Sequence, residues 1–147
     1  MPSADTPRFS IAGPDRIRPL QPVPLELILD NPGAAPLLVN GRFVVDEADA
    51  PEGCFEVTLT VTGPDGTRLG FMVEVDGFEA SDADLVLLAP GEAHTGSVRL
   101  DRYFMLSDPG EHTVRATYRN ALVFERDGQR AFVGVVEAAP ISIRVVP

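Results

Sequence analysis

The chain contains two histidines, His94 and His112. Imidazoles are the side chains that most often bind metals or move protons near neutral pH. A zinc site needs three or four ligands in one place, and neither histidine is followed by His, Cys or Glu at a ligand spacing. The pattern therefore predicts no zinc site. We expect His94 to be exposed and His112 to lie in the core or at a corner of the fold.

The candidate nucleophiles are equally isolated. Ser97 lies in Gly-Ser-Val and lacks the second glycine of a nucleophile elbow, and it falls on the outer face of a predicted strand. Cys54 is the only cysteine, so no disulfide can form within the chain. No His, Lys or Arg stands beside it to lower its pKa, and we expect a half-buried, unreactive thiol. These residues predict that the chain is not an enzyme.

Two acidic loops offer carboxylate oxygens, the ligands that calcium prefers. The first holds Asp46, Glu47, Asp49 and Glu52, and the second holds Asp76, Asp82 and Asp84. Neither matches the spacing of an EF-hand loop, and acidic loops are usually solvated. We expect no cofactor, with calcium at Asp46, Asp49, Glu52, Asp82 or Asp84 as the alternative.

Composition limits the partners. Lys and Arg number 12 against 22 acids, for a net charge of −10, which disfavours nucleic acid and anionic membranes. The N-terminus carries no secretory signal, and no apolar run approaches the ~20 residues of a membrane span. These features favour a soluble, cytoplasmic protein. At 147 residues the chain is predicted to be one domain, with residues 1–7 as a flexible tail.

Alternating apolar and polar residues predict about seven to nine short strands with turns about every ten residues, and no helix of any length. The clearest alternation runs through 55–62, where it places Glu56 on the solvent face. Asn40-Gly41 predicts either a hairpin between 37–39 and 43–45 or a bulge in one strand. Residues 67–75 are predicted to form the strand that returns beside 55–62. In 112–118, His112, Val114, Ala116 and Tyr118 share the core face.

A resemblance to known domains rests on the second half of the chain. The stretch PGEHTVRATY at 109–118 resembles the penultimate strand of immunoglobulin-like and fibronectin-type sandwiches. LAPGE at 88–92, followed by VRL at 98–100, resembles bacterial domains similar to the intracellular proteinase inhibitors, and the β-sandwich that precedes some zinc endopeptidases. GVVE at 134–137 to Ile143 fits the closing strands of that family. Where such sandwiches often carry a corner tyrosine, this chain has His112.

The resemblance implies an all-β, antiparallel immunoglobulin-like β-sandwich, but its motifs are chiefly turn chemistry and say little about function. The leading hypothesis is a protein-binding module that acts through end loops or a sheet edge, with its oligomeric state left open. Residues 119–130 form either a projecting loop with exposed apolar residues or a hairpin that continues the sheet and places those residues in the core, the hairpin being favoured. They supply the candidate contacts Leu122, Val123 and Phe124. The alternatives are a protease inhibitor and a calcium- or carbohydrate-binding module, although the chain has no tryptophan to stack on sugars.

Overall fold

The structure, a computed structural model, describes residues 6–75 and 77–147. Over that part of the chain it consists of β-strands with two three-residue 3₁₀ helices and no α-helix, so the prediction of an all-β protein is confirmed. None of its helices is long and apolar enough to span a membrane. The strands are β1 (Arg8–Ala12), β2 (Arg16–Ile17), β3 (Pro24–Asp30), β4 (Leu37–Asn40), β5 (Val57–Thr62), β6 (Leu85–Leu88), β7 (Ala93–Arg99), β8 (Gly110–Asn120), β9 (Glu125–Arg126), β10 (Gln129–Arg130), β11 (Gly134–Glu137) and β12 (Ile141–Val145).

The first sheet has three antiparallel strands in the order β1-β3-β7. Leu25, Leu27 and Leu29 of β3 are fully buried and alternate with more exposed residues, as the period of two requires. The register places Phe9 opposite Leu29 on one side of β3. On the other side it places His94 opposite Leu29. One face of this sheet therefore packs into the core through the apolar residues of β1 and β3.

The second sheet is built around β8, which spans 11 residues. Strand β5 pairs along one edge of β8, while β11 and β12 follow one another along the other edge. Strand β2 pairs in parallel with β12 at Ile17 and Val145. His112, Val114, Ala116 and Tyr118 share the buried face of β8, as their alternation predicts.

Two small antiparallel pairs complete the described structure, β4 with β6 and β9 with β10. The β9–β10 hairpin turns at Asp127 and Gly128, whose φ angles of 51° and 78° suit the two central positions of a type I′ turn. A hairpin is thus present in 119–130, but it is not the favoured hairpin that continues the sheet and buries its apolar residues. It forms its own two-stranded pair and does not extend the β8 sheet.

The buried side chains of both larger sheets belong to one hydrophobic cluster. It draws on β1 and β3 from one sheet and on β5, β8 and β12 from the other. A smaller cluster of Leu38, Leu85 and Ala131 lies under the β9–β10 hairpin, with Phe124 packed against it. The described residues form twelve strands, more than the predicted seven to nine; nine of them have four or more residues and the other three span two residues each. The predicted tail 1–7 falls largely outside the described residues, and Pro7 is buried.

Asn40-Gly41 forms neither the predicted hairpin nor a bulge within one strand. Strand β4 pairs with β6, and of residues 43–45 only Val45 makes a bridge, in parallel with Val57. The Gly41 amide donates to the carbonyl of Asp84 at 2.8 Å, and the Asn40 side chain accepts from the Arg42 amide at 3.0 Å. These bonds turn the chain away from β4 before a hairpin can close.

The predicted return strand at 67–75 is also wrong. It contains a single bridge, Arg68 to Thr62, and the Leu69 amide donates to the carbonyl of Val61. Beyond that point the Met72 amide donates to the carbonyl of Tyr103 at 2.9 Å. The chain leaves β5 because its next backbone partner lies on another segment.

Candidate functional site

A buried ion pair lies where β8 ends. Glu56 is 1% exposed, and its two carboxylate oxygens accept from Nε and Nη2 of Arg42 at 2.8 and 2.9 Å. The same carboxylate accepts from the backbone amide of Val44 at 3.2 Å. A bidentate guanidinium–carboxylate pair is among the strongest charge-assisted arrangements in proteins. These three donors belong to Arg42 and Val44, and the side chain of Asn40 adds a fourth at 3.3 Å.

The burial of Glu56 corrects the prediction that it faces solvent. The alternation of 55–62 is regular, but strand β5 begins only at Val57, and both Phe55 and Glu56 are buried before it starts. The carbonyl of Glu56 accepts from the Arg119 amide at 2.7 Å, which holds this backbone against β8. Because Glu56 lies before the strand, the period of two does not determine the direction of its side chain.

Two buried asparagines extend the ion pair into a network. Nδ2 of Asn40 lies 3.3 Å from both a Glu56 carboxylate oxygen and Oδ1 of Asn120. Nδ2 of Asn120 donates in turn to the carbonyls of Leu122 and Phe132 at 3.0 and 2.7 Å. Each amide satisfies buried groups that would otherwise be unpaired, as buried polar groups require.

Tyr118 closes the network from the core side. Its hydroxyl donates to the carbonyl of Asn40 at 2.7 Å, and the residue is fully buried. Burial raises the pKa of the Tyr118 phenol well above its usual range, and the negative charge of Glu56 raises it further. The phenol therefore stays protonated near neutral pH and acts there as a hydrogen-bond donor.

The network ties together the loops at this end of the molecule. Arg42 also donates to the carbonyls of Phe78 and Gly53 at 2.6 and 3.3 Å. A side chain on Gly53, which has a φ of +86°, would meet Leu122 at 2.8 Å, so the loops pack closely. We call this region the network end; it consists of residues 40–44, 53–56, 78, 120–123 and 132.

Two apolar side chains project from the network end. Phe78 is 77% exposed and its ring lies 5.6 Å from the guanidinium of Arg42, a cation–π distance. Val123 is 72% exposed. Of the other predicted contact residues, Leu122 is half-buried against Gly53, and Phe124 is half-buried on the smaller cluster. Sequence reasoning missed Phe78, whose only signal is an aromatic residue inside an acidic loop.

The calcium candidates are spread out and several have local partners. Asp46 accepts from the Glu47 amide at 2.8 Å, and Asp84 from the Ser81 amide at 2.8 Å. Glu52 lies 3.5 Å from Arg119. Across residues 6–75 and 77–147, no three His, Cys, Asp or Glu side chains come together in a way that could hold a metal ion. The remaining candidates are placed as follows: Asp49 and Asp82 are exposed, and Asp76 lies outside the described residues.

The histidines and nucleophiles do not form one site. His94 belongs to β7, where its Nε2 lies 2.8 Å from the carbonyl of Gly41, so it is half-buried and not exposed as predicted. His112 is 1% exposed near the other end of β8, with Nδ1 3.2 Å from the Gly110 carbonyl, which confirms its core position. Ser97 is exposed on β7 and Cys54 is half-buried.

Comparison with models of known protein families gives no match, and a search of curated proteins finds no significant relative.

Proposed function

We propose that the chain is a non-enzymatic, protein-binding β-sandwich of immunoglobulin-like type, and that the network end is its contact surface. Two sheets, antiparallel except for the β2–β12 pair, contribute to one core and support the sandwich architecture. That core takes residues from Phe9 to Val145, which supports a single domain over residues 1–147. The resemblance of 85–146 to bacterial inhibitor-like domains agrees with this architecture.

The observation that carries the proposal is the buried Arg42–Glu56 pair. Burying an ion pair gives about the same stability as well-packed apolar residues of similar volume, so stability alone is a weak reason to keep one. What this pair does contribute is position, because Arg42 bonds to the carbonyls of Phe78 and Gly53, and Asn40 links the pair to Asn120, which bonds to the carbonyls of Leu122 and Phe132. Loops held in place before binding lose less conformational entropy when a partner docks.

The exposed groups suit a protein partner. Binding hot spots are enriched in aromatic residues and arginine, and the network end presents Phe78 stacked against Arg42. Val123 adds a second exposed apolar group on the neighbouring loop. Two exposed acids stand next to residues of the network end in the chain, Glu79 beside Phe78 and Glu52 beside Gly53. The partner surface that fits is an apolar pocket with a basic rim.

Affinity capture from a lysate of the source cells tests the proposal. The immobilised chain is compared with the double variant Phe78→Asn/Val123→Asn and with the control Thr95→Asn, which changes an exposed residue on β7. We expect a partner to be retained by the wild type and by the control, and to be lost with the double variant. A partner retained equally by all three, or none retained by the wild type, would contradict the proposal.

The protease inhibitor and the calcium- or carbohydrate-binding module are the competing proposals, and the same preparation distinguishes them. An inhibitor would block a serine, cysteine or metalloprotease at micromolar concentration. A calcium-binding module would show a melting temperature that rises with calcium, because a ligand that binds only the folded state stabilises it.

A further inference from the structure

Leu20 has a backbone conformation that leucine rarely adopts. Its φ is 60°, and Leu20 and Asp127 are the only non-glycine residues with positive φ in the described chain. The amide of Gln21 donates to the carbonyl of Arg18 at 3.1 Å, so 18–21 form a tight turn. With Pro19 at the second position and positive φ at the third, this is a type II turn, whose third position normally holds Gly or Asn.

Burial of the side chain does not offset the backbone strain at Leu20. Leu20 is 63% exposed. A Cβ in the left-handed region is disfavoured for every L-residue except glycine and, to a lesser degree, Asn and Asp. Backbone strain without a packing gain is a sign of functional constraint. The Leu20 side chain is thus held in solvent at the expense of local stability.

Two exposed methionines lie on the segments beside Leu20. The Leu20 amide donates to the carbonyl of Leu106 at 3.1 Å, which places Leu20 beside Met105, a residue that is 57% exposed. The Met72 amide donates to the carbonyl of Tyr103 on the same segment, and Met72 is 48% exposed. Flexible thioethers suit surfaces that must adapt to a partner.

Two exposed arginines flank these side chains in a chain whose net charge is −10. Arg18 and Arg102 are exposed, and neither forms an ion pair with another residue that the structure describes. Asp101, the neighbour of Arg102 in the chain, is already paired with another arginine. The next acids along the same segments, Glu74 and Asp108, stand two and three residues beyond the methionines. We call Leu20, Met72, Met105, Arg18 and Arg102 the turn end.

The turn end and the network end involve different parts of the fold. Leu20 and Met105 lie on segments that lead towards the start of β8 at Gly110, whereas the network lies at Asn120, where β8 finishes. Met72 stands six residues before Phe78 in the chain.

We propose that the turn end is a second docking surface, which takes an acidic peptide segment carrying an apolar anchor residue. Leu20 and the methionines receive the anchor, and Arg18 and Arg102 pair with carboxylates on either side of it. Charge complementarity selects the acidic segment, because the rest of this chain repels one.

Selection of random 12-residue peptides displayed on phage, with the immobilised chain as target, tests the proposal. We expect the enriched sequences to place Asp or Glu beside Leu, Phe or Met. A fluorescein-labelled selected peptide should bind more weakly as salt increases, since its ion pairs are screened. No enrichment, or enriched sequences without acidic residues, would overturn the proposal.

Point variants test whether the selected peptide binds at the turn end. Leu20→Asn should weaken binding at least tenfold while it raises the melting temperature by about 3 °C, because asparagine tolerates the turn conformation. Met105→Asn should weaken binding as well, and the control Thr95→Asn should not. Equal binding by Leu20→Asn would overturn the proposal. So would concentration-dependent dimerisation that Leu20→Asn abolishes, since the occupant would then be a second copy of the chain.

Discussion

Arg42 and Glu56 meet through two hydrogen bonds of 2.8 and 2.9 Å in a place where Glu56 is 1% exposed and the Arg42 side chain 12% exposed. The pair stands at the junction of loops that are distant in sequence, and both partners bond to groups beyond each other. The contribution of the pair to stability can be measured in two ways. One partner can be removed alone, which leaves an unpaired buried charge, or both can be replaced together, which leaves none.

Removing one member of the pair should destabilise the protein strongly. Glu56→Gln leaves the buried guanidinium of Arg42 without its counter-charge, and we expect a loss of about 3–5 kcal/mol in the free energy of unfolding. The double variant Arg42→Met/Glu56→Leu should lose much less, because it buries no unpaired charge. Urea unfolding of the wild type, each single variant and the double variant measures both effects. A double variant as unstable as Glu56→Gln would show that the network also holds the core together.

The phenol of Tyr118 should contribute through its hydrogen bond and through its protonation. Tyr118→Phe removes the donor to the Asn40 carbonyl, and we expect a loss of about 1 kcal/mol. Because the folded pKa of Tyr118 lies above its unfolded value, folding favours the protonated phenol. The stabilisation is complete below about pH 10 and is lost as the pH rises beyond it. Unfolding measured between about pH 8 and pH 11 should show this decline in the wild type and a smaller one in Tyr118→Phe.

Asp101 should give the protein a separate acid sensitivity. Hydrogen bonds from Arg99 lower the pKa of this carboxyl to about 2, and the Val23 amide, which donates at 2.8 Å, lowers it too. A depressed pKa stabilises the fold above the unfolded value near ~4, and this contribution is lost as the pH falls towards about 2. We expect Asp101→Asn to lose about 1 kcal/mol at about pH 6, after allowance for solvent screening.

The pH profile identifies the cause. The side-chain amide introduced by Asp101→Asn can still accept from the Val23 amide, so the difference between wild type and this variant should shrink between about pH 4 and pH 2. Asp101→Ala loses both interactions and should be the less stable variant at every pH. A difference that stays constant throughout this acid range would mean that the Arg99 pair contributes nothing.

Alanine substitutions at Gly53 and Gly66 distinguish the cost of backbone strain from the cost of disturbed packing. Their φ angles are +86° and +83°, but a Cβ on Gly53 meets Leu122 at 2.8 Å whereas one on Gly66 meets nothing within 4 Å. Gly66→Ala should lose about 1 kcal/mol through strain alone. Gly53→Ala should lose clearly more, because it also pushes Leu122 away. Equal losses in thermal unfolding would show that the loops of the network end are not packed against each other.

The sequence predicts the strands whose alternation is carried by apolar side chains facing the core. Strands β3, β5 and β8 keep their period of two because burial selects one face. The pattern fails where polar groups decide the path of the chain. Asn40 turns β4 away through side-chain bonds, and Glu56 is buried by a partner 14 residues away. The alternation of apolar and polar residues along the sequence carries no information about such long-range polar contacts.

The candidate site was predictable only in part. The loop that carries Val123 follows from apolar residues between charged flanks, and the structure places Val123 in solvent. Phe78 belongs to the same site through a hydrogen bond from the Arg42 guanidinium to the Phe78 carbonyl. Leu20 gave no sequence signal beyond Pro19, since a leucine is not the residue expected at the third position of a type II turn.

Site-specific photo-crosslinking tests the account most directly. A benzoylphenylalanine is placed at position 78, 123 or 95 of the full chain, and each protein is irradiated in a lysate of the source cells. We predict one adduct of the same mass from positions 78 and 123, containing the same partner peptide, and none of that mass from position 95. Adducts with different proteins at 78 and 123, or no adduct at either, would contradict the claim that the network end is a single protein-binding surface.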